Sequence, residues 1–153
     1  MKKTFYTFLI FSFLSLNINS QTQYSSIDDV KRLNYELFEE IGFDQDYFKE
    51  GFSTFALEDS IRYLKEFIEG ETIYSRFKII DSNHKLIHFV GILLNKDNEL
   101  AAISETIVAH VDMNIRKTTN MPEKILKSLE QVMQRHNEAG KLDFNLRLGL
   151  RHK

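Results

Sequence analysis

Residues 72–94 read TIYSRFKIIDSNHKLIHFVGILL, and residues 100–113 read LAAISETIVAHVDM. Apolar residues recur at every second position or fill whole runs, and short polar groups at 81–84 and 95–98 separate the runs. Period-two alternation predicts β-strands, and polar gaps of this length predict hairpin turns. Because hairpins join neighbouring strands in opposite directions, this stretch predicts an antiparallel meander, preceded by β-rich sequence from Phe52 to Phe67.

Amphipathic sequence flanks the predicted sheet on both sides. From Ile27 to Ile41 the apolar residues follow helical spacing, and Gly42 suits the left-handed conformation that ends a helix. A second amphipathic helix is predicted from Asn120, as its N-cap, toward Gly140. Alternating apolar residues at 142–148 then predict a final edge strand. Helices beside antiparallel strands predict one α+β domain.

The first twenty residues have the order of an export signal. Two lysines precede an apolar stretch at 5–16, and small polar residues follow it. The stretch is shorter than the roughly 20 residues of a membrane-spanning helix, which favours a signal peptide at 1–20 over a stable membrane anchor. We therefore expect a periplasmic or secreted domain at 21–153. The alternative is that residues 4–16 form the first buried strand of a cytoplasmic protein.

Composition excludes several classes of function. A formal net charge of -2 and a pI near 6.2 leave no basic excess to bind a phosphate backbone, so no nucleic-acid partner is expected. The chain contains no cysteine, which excludes disulfides, thiolate metal sites and cysteine nucleophiles. Hydrophobic residues make up 42% of the chain and charged residues 27%, which is the ordinary balance of one globular core.

Several short segments, taken in order, resemble one known family. They are LFEEIGF at 37–43, LEDSIRYLKE at 57–66, LIHF at 86–89, ELAAISE at 99–105 and HVD at 110–112. In this order the chain resembles the hotdog-fold acyl-CoA thioesterase superfamily, in the branch that includes 4-hydroxybenzoyl-CoA and betainyl-CoA thioesterases. The resemblance implies an antiparallel sheet wrapped around a central helix, with an additional C-terminal helix. It also implies a homodimer that takes an acyl thioester or small hydrophobic ligand and needs no cofactor.

The catalytic loop typical of that family is missing from this sequence. Its members carry an Asp followed by a Gly-His-Met-Asn loop just before the central helix. An ungapped comparison places that loop on residues 16–22, LNINSQT, which contain neither a carboxylate nor a glycine. The usual nucleophile or base is therefore absent, and a catalytic set would have to be displaced.

Candidate site residues come from the later segments of the resemblance. Glu58 matches a family position on a predicted strand beside aromatic residues, where a carboxylate can act as a base. His110 and Asp112 are two apart on one strand, so both point to one face and can orient a water. We predict two catalytic residues, Glu58 and His110, no metal site, and four substrate-binding residues: Arg62, Tyr63, His88 and Asp112.

Each candidate also has a structural interpretation. Glu58 is otherwise a solvated strand glutamate, His110 and Asp112 a hydrogen-bonded couple, and His88 a core histidine. Two functions therefore remain open. The first is hydrolysis of an acyl thioester, with Glu58 as base and His110 positioning the water or carbonyl. The second is a non-catalytic exported hotdog protein that binds an acyl or aromatic ligand or serves as a dimer scaffold.

Overall fold

A computed structural model describes residues 23–24, 37–68 and 70–151 of the chain. The predicted signal peptide and most of the predicted first helix lie outside these residues. In chain order the elements are β1 (Gln23–Tyr24), α1 (37–41), α2 (Gln45–Lys49), β2 (Phe52–Tyr63), β3 (Ile73–Ser82), β4 (Leu86–Leu94), β5 (Leu100–Asp112), β6 (Lys117–Thr118) and α3 (Glu123–Glu138). None of the described helices is long and apolar enough to span a membrane.

One antiparallel sheet contains all the strands, in the spatial order β1-β3-β4-β5-β2, with β6 paired to β5. The predicted meander is confirmed, because β3, β4 and β5 are neighbours both in sequence and in the sheet. β5 lies between β4 and β2 and is buried along nearly its whole length, so its polar residues Ser104, Glu105, Thr106 and His110 are buried as well. β2 precedes the meander in sequence but pairs with β5, so it ends the sheet on that side.

The helices pack on one face of this sheet, here called the helix face. Side chains of α1, α3 and the strands form one core, which includes Ile41, Phe77, Phe89, Val108 and Leu129. Since paired residues on adjacent strands point to the same side, the even-numbered residues of β5 face the helices. The odd-numbered residues of β5 point to the opposite side, here called the outer face.

The end of α1 and the start of α3 have different local causes. Gly42 follows α1 with a φ of +107°, and the Phe43 N–H bonds the Phe38 carbonyl at 2.8 Å, which confirms the predicted glycine termination. The prediction of Asn120 as the N-cap of α3 was wrong. Pro122 is the N-cap, with extended backbone and no side-chain cap. A proline disfavours helical backbone in the residue before it, so the helix begins only at Glu123.

The predicted final edge strand was also wrong. Residues 141–150, here called the strap, form no regular element and pair with no strand in the described part of the chain. The strap crosses the outer face of the sheet, and its alternating apolar residues are half-buried on that face: Leu142, Phe144, Leu146, Leu148 and Leu150. Alternation with period two shows only that every second side chain is buried. A segment that lies across the face of a sheet satisfies this pattern as well as a strand paired at its edge does.

Candidate functional site

The outer edge of strand β2 exposes apolar side chains beside two carboxylates. Phe55 is 42% exposed and Leu57 is 58% exposed. The register with β5 shifts between Ala56 and Glu58, so Leu57 lies in a bulge. Beyond it, Glu58 pairs with an outer-face residue of β5 and Asp59 with a helix-face residue. The two adjacent carboxylates therefore point to opposite faces of the sheet.

Asp59 is fixed by a neighbouring hydroxyl. Thr106, which is 1% exposed, donates from Oγ1 to Asp59 Oδ1 at 2.6 Å. Sequence analysis missed Asp59 because Glu58 matched the family position, and because the bulge that decides which carboxylate faces the helices has no clear sequence signal.

Glu105 forms a buried polar centre on the outer face. Its side chain is fully buried and accepts hydrogen bonds from the backbone N–H groups of Arg147 and Leu148, at 2.7 and 2.9 Å. Arg62 Nη2 reaches Glu105 Oε1 at 3.2 Å and the Asn145 carbonyl at 2.8 Å. Three hydrogen bonds therefore tie the strap to the sheet, and a fourth contact joins the carboxylate and the guanidinium that make them.

Arg62 and His88 belong to this strap contact. The Arg62 guanidinium also lies 5.5 Å from the centre of the Phe144 ring in the strap. His88 is 1% exposed, and its Nε2 is 3.9 Å from Glu105 Oε2 without a hydrogen bond in the described residues. Burial lowers the pKa of His88, and the negative charge of Glu105 opposes that shift only in part. A neutral His88 is therefore packed beneath the strap.

His110 and Asp112 share the helix face but have separate partners. His110 Nδ1 is 3.1 Å from the Thr119 carbonyl, and its ring stacks on Phe52 with centres 5.1 Å apart. Burial lowers the pKa of His110. Asp112 accepts the Asn114 N–H at 2.8 Å and closes the turn after β5. His110 and Asp112 are therefore not bonded to each other, and each binds the backbone of a different segment after β5.

The structure does not bring the predicted site residues into one cluster. Glu58 lies on the outer face and His110 on the helix face, so the sheet separates the two predicted catalytic residues. Tyr63 is 73% exposed at the end of β2. In the described residues, no group of three His, Asp or Glu side chains is arranged to hold a metal ion. The β2 edge places two exposed carboxylates beside the exposed side chains of Phe55 and Leu57.

The sequence model of the thioesterase-like superfamily matches residues 20–129 of this chain. This range is most of the chain and includes the strands of the sheet. The chain belongs to this superfamily. A similar curated protein is an L-carnitine dehydrogenase/betainyl-CoA thioesterase from a Rhizobium species, 34% identical over 97 residues. That match covers 63% of this chain but 20% of the relative. A protein with the same description from Agrobacterium fabrum is 29% identical over 111 residues, covering 72% of this chain and 22% of its own length. The matched segment is thus about a fifth of each relative.

Solved structures confirm the hotdog fold of this thioesterase-like protein. A Staphylococcus aureus protein in complex with CoA superposes with a TM-score of 0.69 at 14% identity, covering 93% of this chain and 91% of that one. A DHNA-CoA thioesterase from the same organism superposes with a TM-score of 0.67 at 13% identity, covering 80% of this chain and 96% of that one. The segment 16–22, where the family's catalytic loop would stand, lies outside the described residues.

Proposed function

We propose that this thioesterase-like protein binds an acyl thioester at the β2 edge and hydrolyses it with a displaced carboxylate. The observation that carries the proposal is the pair of carboxylates on an exposed strand edge flanked by Phe55 and Leu57. Apolar side chains suit an acyl group, and a carboxylate suits activation of water. Membership of the superfamily and the fold similarity to a protein solved with CoA support this choice.

We expect slow but measurable turnover of acyl thioesters. The chain carries no carboxylate at 16–22, and loss of a positioned base typically costs about 100- to 10,000-fold in rate. Purified protein would be assayed with acetyl-, octanoyl-, palmitoyl- and benzoyl-CoA and with the matching N-acetylcysteamine thioesters. Release of free thiol above the buffer rate from any of them supports the proposal, and none above it contradicts the proposal.

The second candidate function is binding without catalysis. The sequence LNINSQT at 16–22 favours it, because no residue there replaces the family's acid. A non-catalytic protein would bind a non-hydrolysable acyl-CoA thioether, or the free acid, without releasing thiol from the matching thioester. Calorimetric titration with the thioether, run beside the thiol assay, separates the two functions.

We also propose a homodimer in which β2 strands of two copies pair. The strand ends the described sheet, so one row of its backbone N–H and C=O groups has no partner strand, and Leu57 is 58% exposed beside that row. A lysine on an edge strand disfavours such pairing. Leu57→Lys should therefore convert a dimer to a monomer at micromolar concentration, as measured by light scattering.

The matched control for the dimer is Ile115→Lys. Ile115 is 61% exposed in the turn after β5, so the same change of charge and size occurs away from the β2 edge. It should leave the dimer intact. A monomeric wild type, or a dimer that survives Leu57→Lys, would contradict pairing through β2.

Export remains part of the proposal because of the first twenty residues. Expressed from Met1 in a bacterium, the protein should leave the cytoplasm with a new N-terminus near Gln21, which intact-mass measurement detects. CoA esters are cytoplasmic, so an exported enzyme would act on thioesters of another carrier. This is why the substrate panel includes thioesters without CoA.

A further inference from the structure

We propose that Asp59, not Glu58, is the carboxylate that activates water for thioester hydrolysis, with Thr106 as its positioning residue. This inference rests on the proposed function. It names the reacting group, for which Glu58, one residue earlier in the chain, was the candidate from the sequence.

The first reason is that Asp59 is already held in one orientation. Thr106 Oγ1 bonds Asp59 Oδ1 at 2.6 Å, and Thr106 itself is buried in β5, between β4 and β2. The exposed Asp59 side chain points to the helix face and not along the backbone edge that pairs in the proposed dimer, so a substrate can reach its second oxygen, Oδ2. A base held by a buried partner and open on its other side satisfies the geometric requirement for proton abstraction from a water.

The second reason is the chemistry of the helix face around Asp59. The strand register aligns Ile79, Phe89, Thr106 and Asp59 in one row across the sheet, so an apolar core surface leads directly to the carboxylate. Phe38 of α1 packs edge-on against Phe89, with ring centres 6.1 Å apart. Ile79 and Phe89 are 1% and 4% exposed, so only the Asp59 end of the row is open, and an acyl group bound there would lie at the rim of this apolar core.

The third reason is a buried hydroxyl on the same face. Ser104 is 4% exposed, lies two residues from Thr106, and its Oγ has no hydrogen-bond partner in the described residues. A buried hydroxyl without a partner is costly unless another group satisfies it. Donation to the carbonyl oxygen of a thioester would satisfy it and would stabilise the charge that develops there.

Glu58 has a different environment. It pairs with Ile107 on the outer face, where Glu105, Arg62 and the strap occupy the neighbouring surface. The apolar row and the free Ser104 hydroxyl both lie on the opposite side of the sheet. Glu58 shares the outer face with the exposed Phe55, but in the described residues no hydrogen bond orients its carboxylate as Thr106 orients that of Asp59.

The reaction is a hydrolysis in which Asp59 Oδ2 takes a proton from water as the water oxygen attacks the thioester carbonyl carbon. The C–O bond forms, the carbonyl π electrons move to the oxygen, and Ser104 Oγ–H donates to that oxygen. Collapse of the adduct breaks the C–S bond, and the proton held by Asp59 passes to the departing thiolate. The products are a carboxylic acid and a free thiol, and Asp59 returns to its ionised form.

The test compares Asp59→Asn with Glu58→Gln in the full chain, using the thioester that the wild type hydrolyses fastest. The two residues are adjacent and exposed. Each substitution removes one negative charge and leaves a side chain of nearly the same shape. We expect Asp59→Asn to lower kcat/KM about 100-fold or more and Glu58→Gln to lower it by at least tenfold less than that. The control is Asp97→Asn, which neutralises an exposed carboxylate in the turn before β5 and should change kcat/KM by less than about threefold. Circular dichroism and thermal melts check that both variants remain folded.

Thr106 is tested by Thr106→Val and by the conservative Thr106→Ser. Loss of the hydroxyl leaves the Asp59 carboxylate free to rotate, so Thr106→Val should lower kcat while KM changes little. Thr106→Ser should restore the wild-type kcat, which a purely structural role for the residue would not require.

Two results would overturn the assignment. If Asp59→Asn keeps kcat/KM within about threefold of the wild type, or if Glu58→Gln alone abolishes turnover, Asp59 is not the base, although the proposed hydrolysis stands. If the wild type releases no thiol from any thioester in the panel, both the proposed function and this assignment fail.

Discussion

Replacement of Glu105 by Gln is expected to lower the free energy of unfolding by about 3 kcal/mol, which is the scale for breaking a buried ion pair by removing one partner. The carboxylate is fully buried and bonds Arg62 and two strap N–H groups. An amide of the same size has only one oxygen, so it cannot accept from both sides and leaves Arg62, whose side chain is 16% exposed, without its countercharge. Urea denaturation at fixed protein concentration measures the loss.

Glu123→Gln is the matched control for this prediction. Glu123 pairs with Lys127 one turn later on α3, and both side chains are largely exposed, at 80% and 69%. Such a surface pair contributes about 0.3–0.5 kcal/mol, so the control should be close to wild type. Trypsin should also cleave the strap of Glu105→Gln faster than that of the control. Equal stability and equal cleavage in the two variants would show that Glu105 does not hold the strap.

Acidification from about pH 6.5 to about pH 4 is expected to cost the fold about 3 kcal/mol through His136 alone, at about 1.4 kcal/mol per unit of pKa difference. His136 of α3 is 3% exposed, and its Nδ1 accepts the Ile79 N–H at 3.0 Å. Burial, with smaller effects from Arg135 and Lys78, lowers the pKa of His136 to about 4. The unfolded chain therefore takes up a proton near pH 6.5, before the folded chain does. This stability is complete above pH 6.5 and is lost as the pH falls toward 4.

His136→Asn separates this contribution from that of the other titrating groups. The asparagine Oδ1 can replace Nδ1 as an acceptor, but the side chain does not titrate. The variant should be less stable at neutral pH because part of a buried ring is lost, yet its stability should fall less between pH 6.5 and 4. His84→Asn, at an exposed position, should keep the wild-type slope. If His136→Asn shows the wild-type slope as well, His136 is not the source.

Elements of regular structure could be predicted from this sequence because their signals are local. The strands at 73–113 follow from alternation between turns, and the end of α1 follows from a glycine after the last apolar position. The start of α3 was misplaced because Asn120 has the side chain of a cap, but Pro122 constrains the backbone before it. Boundary errors of this kind arise when two local signals compete.

The candidate site was predicted less well than the strands. The sheet face to which a side chain points, and the residue that it bonds, depend on how distant strands pair. A bulge at Leu57 moves each later residue of β2 to the opposite face, which places Glu58 away from the helices and Asp59 toward them. Arg62 was predicted to bind substrate, a role that stays a prediction, while the structure pairs it with Glu105, 43 residues later in the chain. No local pattern specifies such a partner.

The sequence by itself determined the family, the strand-rich middle of the chain, the absence of cysteine chemistry, and the lack of a carboxylate at 16–22. These properties follow from residue identity and short-range periodicity, which a linear chain records directly. Only the tertiary structure decided that the C-terminal residues cross the outer face, that Glu105 is their buried anchor, and that Asp59 is the carboxylate on the helix face. These depend on which strands pair and in what register, and a shift of one residue in the pairing reverses every side chain.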